Sequence, residues 1–322
     1  MPLVLIGNNS SKNLDKDQKS LAEFVDVNNP NLQRDFRAVK RKINQKTKSI
    51  LDSPYPFLKW AGGKRQLLKQ FDQYFPKQFG TYIEPFVGGG TVFFYLLPNK
   101  AILLDINEEL INCYQVIQNT VEQLIDSLKN HRNEKDYYYK LRNVDRDFQE
   151  FQKWSAVQRA SRTIFLNRCC FNGLYRVNSK GEFNVPFGRY KNPKFCDEKN
   201  LRAVSQVLQG IVIECANFEK CLELAKERDF IYFDPPYQPV SVTANFTSYT
   251  KAGFGETAQK KLFEVFQELD KRGCYVMLSN SDSKFILELY GNYKIVEIKA
   301  KRAINSDATK RGAINELLIL NY

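Results

Sequence analysis

The chain has 322 residues, 43% of them hydrophobic and 26% charged, with a formal net charge of +12. This is a globular composition with room for one large domain or two modest ones, and the basic excess points to a polyanionic partner. A single histidine, His131, and seven cysteines without a C-x-x-C pair argue against a zinc site and against Ser-His or Cys-His catalysis.

No apolar run approaches the ~18 residues of a membrane span. The N-terminal MPLVLIG lacks the charged start and cleavage site of a signal peptide. A cytoplasmic protein without metal, monomeric in solution, is expected.

Residues 1–55 form a basic N-terminal extension in which Lys and Arg outnumber Asp and Glu. Short helices are predicted over 18–25 and 32–43, the second carrying Arg34, Arg37, Lys40, Arg41 and Lys42. The extension is either a mobile arm touching nucleic-acid phosphates or a solvated tail with no partner. Folded structure is predicted to begin near Pro56. The stretch FLKWAGGK at 57–64 is not a P-loop, because Leu58 and Arg65 replace the required glycine and Ser/Thr. A glycine turn opening the helix predicted over 66–75 can still bind an anion.

A strand over 81–86, a glycine turn over 87–90, a helix over 91–97 and a strand over 101–104 ending in Asp105 make the clearest unit. Gly88 and Gly90, after Phe86, let backbone approach a ligand, while Asp105 can accept bonds from two ribose hydroxyls. A dinucleotide site shares this layout, but Phe93 stands where its third glycine belongs. A nucleoside cofactor without a pyrophosphate fits better.

From 107 to 151 the pattern is helical and polar, with Tyr137, Tyr138 and Tyr139 facing a core, and a further helix is predicted over 156–165. Residues 159–195 then hold eight Lys or Arg against one acid, Glu182, with a hairpin turn at 178–181. Arginines and asparagines interleaved with aromatics suit nucleic acid, by phosphate neutralisation, base-edge reading and wedging. The plainer alternative is a solvated face with its aromatics tucked inward.

The α/β pattern resumes with a helix to 208, a strand over 211–215 and a helix over 218–225. A buried strand over 230–233 delivers Asp234-Pro235-Pro236-Tyr237 to its carboxyl end, where open α/β sheets hold ligands. Neither proline can extend the ladder. An acid beside a free carbonyl and a flat ring suits an exocyclic amine on a heterocycle; the bland alternative is a strand-ending turn. A polar stretch over 238–255 can order over the site. A helix over 257–272, a strand over 274–279, a helix over 283–290 and two antiparallel strands over 293–300 and 316–321, flanking a basic loop over 301–312, complete the chain.

Together these features propose transfer of a methyl group from S-adenosylmethionine to an exocyclic amine of a base, largely a positioning problem. C5-cytosine chemistry fails, since no proline precedes a cysteine.

The chain resembles the Dam-type DNA adenine-N6 methyltransferases of the α-group, D12 class, acting on GATC. The resemblance covers roughly 57–322 and rests on FLKWAGGK, EPFVGGGTVF at 84–93, LDIN at 104–107, FNGLYR at 171–176, GEFNVPFGRYKNP at 181–193, DPPY at 234–237, TANFTSY at 243–249 and the tail from 302 to 318. It implies a Rossmann-like α/β methyltransferase sheet at 56–111 and 197–322, with an inserted, mainly helical DNA-recognition domain at 112–196 carrying a β-hairpin. It further implies double-stranded GATC DNA as partner, with catalysis by Asp234, Pro235, Pro236 and Tyr237. Trp60, Lys64, Asp105 and Asp234 match cofactor-binding positions, beside the Phe86, Gly88, Gly90 loop. Lys59, Leu174, Arg176, Pro186 and Tyr190 match residues near the GATC bases, with Arg189 in the same hairpin, and Phe171 with Asn172 matches the pair beside the flipped adenine. A catalytically inactive DNA-binding protein of the same fold, or an N4-cytosine or RNA amino-methyltransferase, are the alternatives.

Overall fold

The computed structural model describes residues 53–237, 254–301 and 313–322. The expected N-terminal arm with its two helices, the polar stretch beyond Tyr237 as far as 253, and the basic loop over 302–312 lie outside the described residues.

The first half of the chain contributes α1 (Leu68–Phe71), β1 (Tyr82–Glu84), α2 (Thr91–Leu96), β2 (Ala101–Asp105) and α3 (Glu108–Lys129). Next come α4 (Lys135–Arg142), α5 (Phe148–Gln152), α6 (Ala156–Cys169) and α7 (Glu198–Leu208). The remainder is β3 (Val212–Cys215), α8 (Cys221–Leu224), β4 (Phe230–Phe233), α9 (Glu256–Lys271), β5 (Tyr275–Ser281), α10 (Lys284–Leu289), β6 (Lys294–Lys301) and β7 (Ala313–Leu320).

The strands form one sheet in the order β3-β2-β1-β4-β5-β7-β6. β3, β2, β1, β4 and β5 run parallel, while β7 pairs antiparallel with both β5 and β6. All four residues of β4 are buried, because helices cover both faces of a parallel sheet. Phe230 and Tyr232 pack into one core with Phe71, Tyr82 and Tyr114. Ile231 and Phe233, pointing the other way, pack with Phe266, Leu269 and Tyr290. The expected Rossmann-like α/β sheet is what the chain forms.

A third core, of Tyr138, Phe165, Cys169, Tyr175, Phe183 and Val185, underlies the basic region. Tyr138 is fully buried, its hydroxyl donating to the Val185 carbonyl at 2.8 Å. α3, kinked at Thr120, spans the expected boundary at 111/112, with its N-cap Asn107 accepting from Leu110 N. α6 starts on a capping box between Ser155 and Gln158.

Three local expectations change. The helix expected over 66–75 is α1 alone, between short 3-10 turns at Lys64–Gln66 and Asp72–Tyr74. The strand expected over 81–86 stops at Glu84, since Pro85 cannot donate to a ladder. The expected hairpin is no continuous ladder: its arms meet at the Val177–Phe183 bridge, and Cys170 bridges Phe187 below.

Candidate active site

Parallel strands place their carboxyl ends on one edge, and here the chain steps from β1 outward to β2 on one side and to β4 on the other. That reversal opens a crevice at the ends of β1 and β4. A cleft of ≈ 540 Å³ occupies it, lined by Trp60, Lys64, Phe86, Gly88, Gly90, Asp105, Asp234, Pro235, Pro236 and Tyr237. All the residues expected at the cofactor and catalytic positions thus share one cavity, of a size usual for cofactor sites, ~300–1,000 Å³.

The glycine loop is built for close approach. Gly88 and Gly90 both have positive φ, 47° and 66°. A Cβ on Gly88 would lie 2.8 Å from Trp60 Cδ1, and one on Gly90 would lie 2.6 Å from the Tyr114 hydroxyl oxygen. Tyr114 itself donates to the Gly88 carbonyl at 3.1 Å. Trp60, pressed on this loop, stacks on Tyr175 with ring centroids 5.0 Å apart.

Asp105 closes the loop from β2. Its Oδ2 accepts from Gly88 N at 3.0 Å and its Oδ1 from Asn107 N at 2.9 Å. Each carboxylate oxygen retains a second lone pair for a ligand hydroxyl. Burial pushes this carboxyl up to about 6, against the opposing pull of its backbone donors.

Asp234 stands at the end of β4. Its Oδ1 lies 2.9 Å from Lys64 Nζ, which also donates to the Gly62 carbonyl at 2.7 Å. Lys64 Nζ sits 4.6 Å from the Tyr237 ring centroid and 3.8 Å from Glu316 Oε2. The Tyr237 hydroxyl donates to that same Glu316 oxygen at 2.7 Å. Burial raises Asp234 to about 6, with Lys64 pulling the other way. The Pro236 carbonyl accepts from Gln259 Nε2 at 3.1 Å.

The sequence reading missed several lining residues: Glu84, Asn217, Phe218, Tyr232 and Phe254. Phe86, Phe218 and Phe254 form an aromatic cluster with centroids 5.4–5.9 Å apart. Asn217 and Phe218 follow the carboxyl end of β3, so the strand-end argument applied to Asp105 and Asp234 reaches them too. Phe254 has no such signal, because it stands just before α9 rather than at the end of a strand. Glu84 is fully buried at the tip of β1, accepts from the Tyr82 hydroxyl at 2.9 Å, and is driven by burial well above the usual carboxylate range.

The other predicted residues gather on the basic region. Asn167 clamps Lys59 by both backbone groups, at 2.8 Å each, and its amide also reaches the Gly173 carbonyl. Lys59 Nζ lies 4.8 Å from the Tyr190 ring centroid. Phe171 N donates to the Pro186 carbonyl at 2.8 Å, and Leu174 N to the Phe171 carbonyl at 3.3 Å. The Phe171 side chain is exposed, and Asn172 holds a strained φ of 56°. Arg176 and Arg189 are both exposed. Arg189 makes no ion pair among the described residues.

Not all the basic charge faces outward, contrary to a simple count of cations. Arg162 is buried against Asp145 at 2.7 Å, and Arg168 donates to the Pro56 and Phe57 carbonyls. Arg159 pairs with Glu108 and Glu109, and Lys194 with Asp197. The three arginines hold the fold together, leaving Arg176, Lys180, Arg189, Lys191 and Lys194 as the exposed face.

A sequence profile of the D12 class N6 adenine-specific DNA methyltransferases matches residues 60–304. The chain is 48% identical over 271 residues to the Type II methyltransferase M1.LlaDCHI of Lactococcus lactis subsp. cremoris, covering 83% of this chain and 95% of that protein. It is 48% identical over 288 residues to the Type II methyltransferase M.MjaIII of Methanocaldococcus jannaschii, covering 83% and 99%. To the DNA adenine methylase of Escherichia coli it is 36% identical over 269 residues, covering 82% and 94%.

Proposed function

Because the chain belongs to the D12 class of N6 adenine-specific DNA methyltransferases, we propose that it methylates N6 of a flipped-out adenine in duplex GATC, with S-adenosylmethionine as donor. One juxtaposition carries this reading. Asp234, paired with Lys64 at the end of β4, shares a single cleft with the Gly88–Gly90 loop and Asp105.

The roles divide along that cleft. Asp105 takes the ribose hydroxyls through its free lone pairs, and the cluster of Phe86, Phe218 and Phe254 offers the adenine of the donor one apolar wall. The donor supplies a methyl group already activated by its sulfonium charge. Lys64 holds Asp234 through Oδ1, and the carboxylate keeps lone pairs that accept one N6 hydrogen of the target base. Gln259 engages the Pro236 carbonyl, which leaves the Pro235 carbonyl to accept the other hydrogen. Both acceptors localise the nitrogen lone pair, and the carboxylate stabilises the positive charge that develops there. The base leaves the duplex to reach this point and stacks on Tyr237.

In the same reading, residues 56–111 and 197–322 are catalytic and 112–196 recognise DNA. Lys59, Leu174, Arg176, Pro186 and Tyr190 lie near the GATC bases, with Arg189 in the same hairpin, while Phe171 and Asn172 stand beside the flipped adenine.

Incubating the full chain with GATC plasmid and S-adenosylmethionine tests this. The expected product is N6-methyladenine, with the plasmid becoming resistant to a nuclease that adenine methylation blocks at GATC. N4-methylcytosine, or methyladenine only at other sites, would overturn it.

A further inference from the structure

We propose that Asp145 and Arg146 are positioning residues that set which base Arg176 reads, by acting as a side-chain third strand for the hairpin. This rests on the proposed reading that the hairpin meets the bases.

The hairpin is held weakly by its own backbone. Its arms meet at the Val177–Phe183 bridge, flanked by Asn178 N to Glu182 O at 2.9 Å and Asn184 N to Arg176 O at 3.1 Å. In antiparallel pairing this makes Val177 and Phe183 a non-hydrogen-bonded pair, so the N–H and C=O of Phe183 point away from Val177. A two-stranded hairpin of this kind is marginal in water by itself.

Both outward groups are met by consecutive side chains. Phe183 N donates to Asp145 Oδ2 at 2.8 Å, and Arg146 Nη2 donates to the Phe183 carbonyl at 2.7 Å. One acceptor and one donor side by side reproduce the edge of a neighbouring strand.

That substitute edge is itself anchored. Arg162 Nη2, nearly buried on α6, lies 2.7 Å from Asp145 Oδ2 and also donates to the Arg142 carbonyl at 2.7 Å. Arg146 Nη1 lies 2.9 Å from Asp145 Oδ1 and 3.1 Å from Glu182 Oε2. Glu182, the lone acid of the basic region, therefore has a structural task. The residue after Phe183, Asn184, accepts from Arg176 Nε at 2.7 Å. A continuous series of contacts thus runs from α6 through Asp145 and Arg146 to Phe183, Asn184 and the Arg176 guanidinium. Base-edge reading demands that fork within ~0.5 Å of its place, and a one-residue slip would turn it to the opposite face.

The test uses the full chain and a set of duplexes, each with one altered base pair within GATC. kcat/KM for methyl transfer is compared among wild type, Arg176→Ala and Arg146→Ala. Arg146→Ala is expected to lower discrimination at least fivefold at the same base pair that Arg176→Ala relaxes, with KM for S-adenosylmethionine unchanged. Asp145→Asn keeps an acceptor facing Phe183 and is expected to retain most of the discrimination. If Arg146→Ala does not fold, Arg146→Met keeps the alkyl packing, removes the contacts to Phe183, Asp145 and Glu182 and carries the same comparison. Relaxation by Arg176→Ala but not by the Arg146 variants, or equal loss on every duplex, overturns the inference alone. No relaxation by Arg176→Ala removes the hairpin reading, and the inference with it.

Discussion

Lys64 and Asp234 form an ion pair of 2.9 Å in which the lysine side chain is 2% exposed and the aspartate 21%. The asymmetry matters. The cation is sealed beneath the glycine turn, while the anion keeps an open side toward the cleft, so an approaching amine meets negative charge. The lysine offsets part of the cost of burying that carboxylate, which would otherwise favour the protonated form.

Asp234→Ala removes the amine acceptor and leaves Lys64 without its nearer carboxylate. Turnover is expected to fall by at least ~100-fold, the scale for losing one preorganised charge-stabilising group. DNA affinity, measured by gel shift, should stay within a few-fold of wild type. An Asp234→Ala protein with near-normal kcat would show that the carboxylate is not the acceptor.

The pH dependence has a definite sign. The working form of Asp234 is the carboxylate, and its pKa stands at about 6 rather than 3.8. Activity should therefore fall as pH drops through about 6. Lys64→Met removes the charge that opposes protonation, so the acid limb of the kcat profile should move to higher pH. Stability runs the other way: a carboxyl whose folded pKa is raised stabilises the fold fully below its unfolded value and loses that contribution as pH climbs through the folded one. Asp105, also at about 6, adds to the effect. Replacing either acid with Asn should flatten its share of the Tm slope between pH 4 and 6.

Gly88→Ala places a methyl group against Trp60 at a backbone φ of 47°. Strain of ~1–3 kcal/mol is expected from that backbone, and the clash displaces the tryptophan from the loop. Calorimetric titration with S-adenosylmethionine should show about ten-fold weaker binding or more. Unchanged affinity would mean that the loop does not touch the donor.

Phe171→Ala removes a ring that is 52% exposed and so should leave Tm within ~1 °C, as surface changes do. With 2-aminopurine at the target adenine, the fluorescence rise that reports extrusion should shrink, and kcat should fall with it. An undiminished signal would exclude the wedge role.

Much of this was legible beforehand because it is local. A continuous apolar run ended by two prolines can only be a buried strand that stops, and β4 covers the run expected. Gly88, Gly90 and Asp105 are linked by the short β1-α2-β2 connection, so their spacing along the chain already places them together. The basic region was legible only as composition. Charge counting cannot separate Arg162, buried against Asp145, from Arg176, exposed on the hairpin, because both depend on where α6 lies against the turn at Asn143–Arg146.

Asp234-Pro235-Pro236-Tyr237 and the glycine loop, read as sequence, determine the kind of chemistry, since strand ends and glycine turns are properties of short segments. The tertiary structure alone decided the partners: Lys64 beneath Asp234 from 170 positions earlier, Glu316 on Tyr237 from β7, Phe254 against Phe86, and Asp145 with Arg146 on Phe183. Each joins segments far apart in the chain, through an ion pair, hydrogen bond or ring contact that exists only once the sheet order β1-β4-β5-β7 and the packing of α6 have brought them within reach.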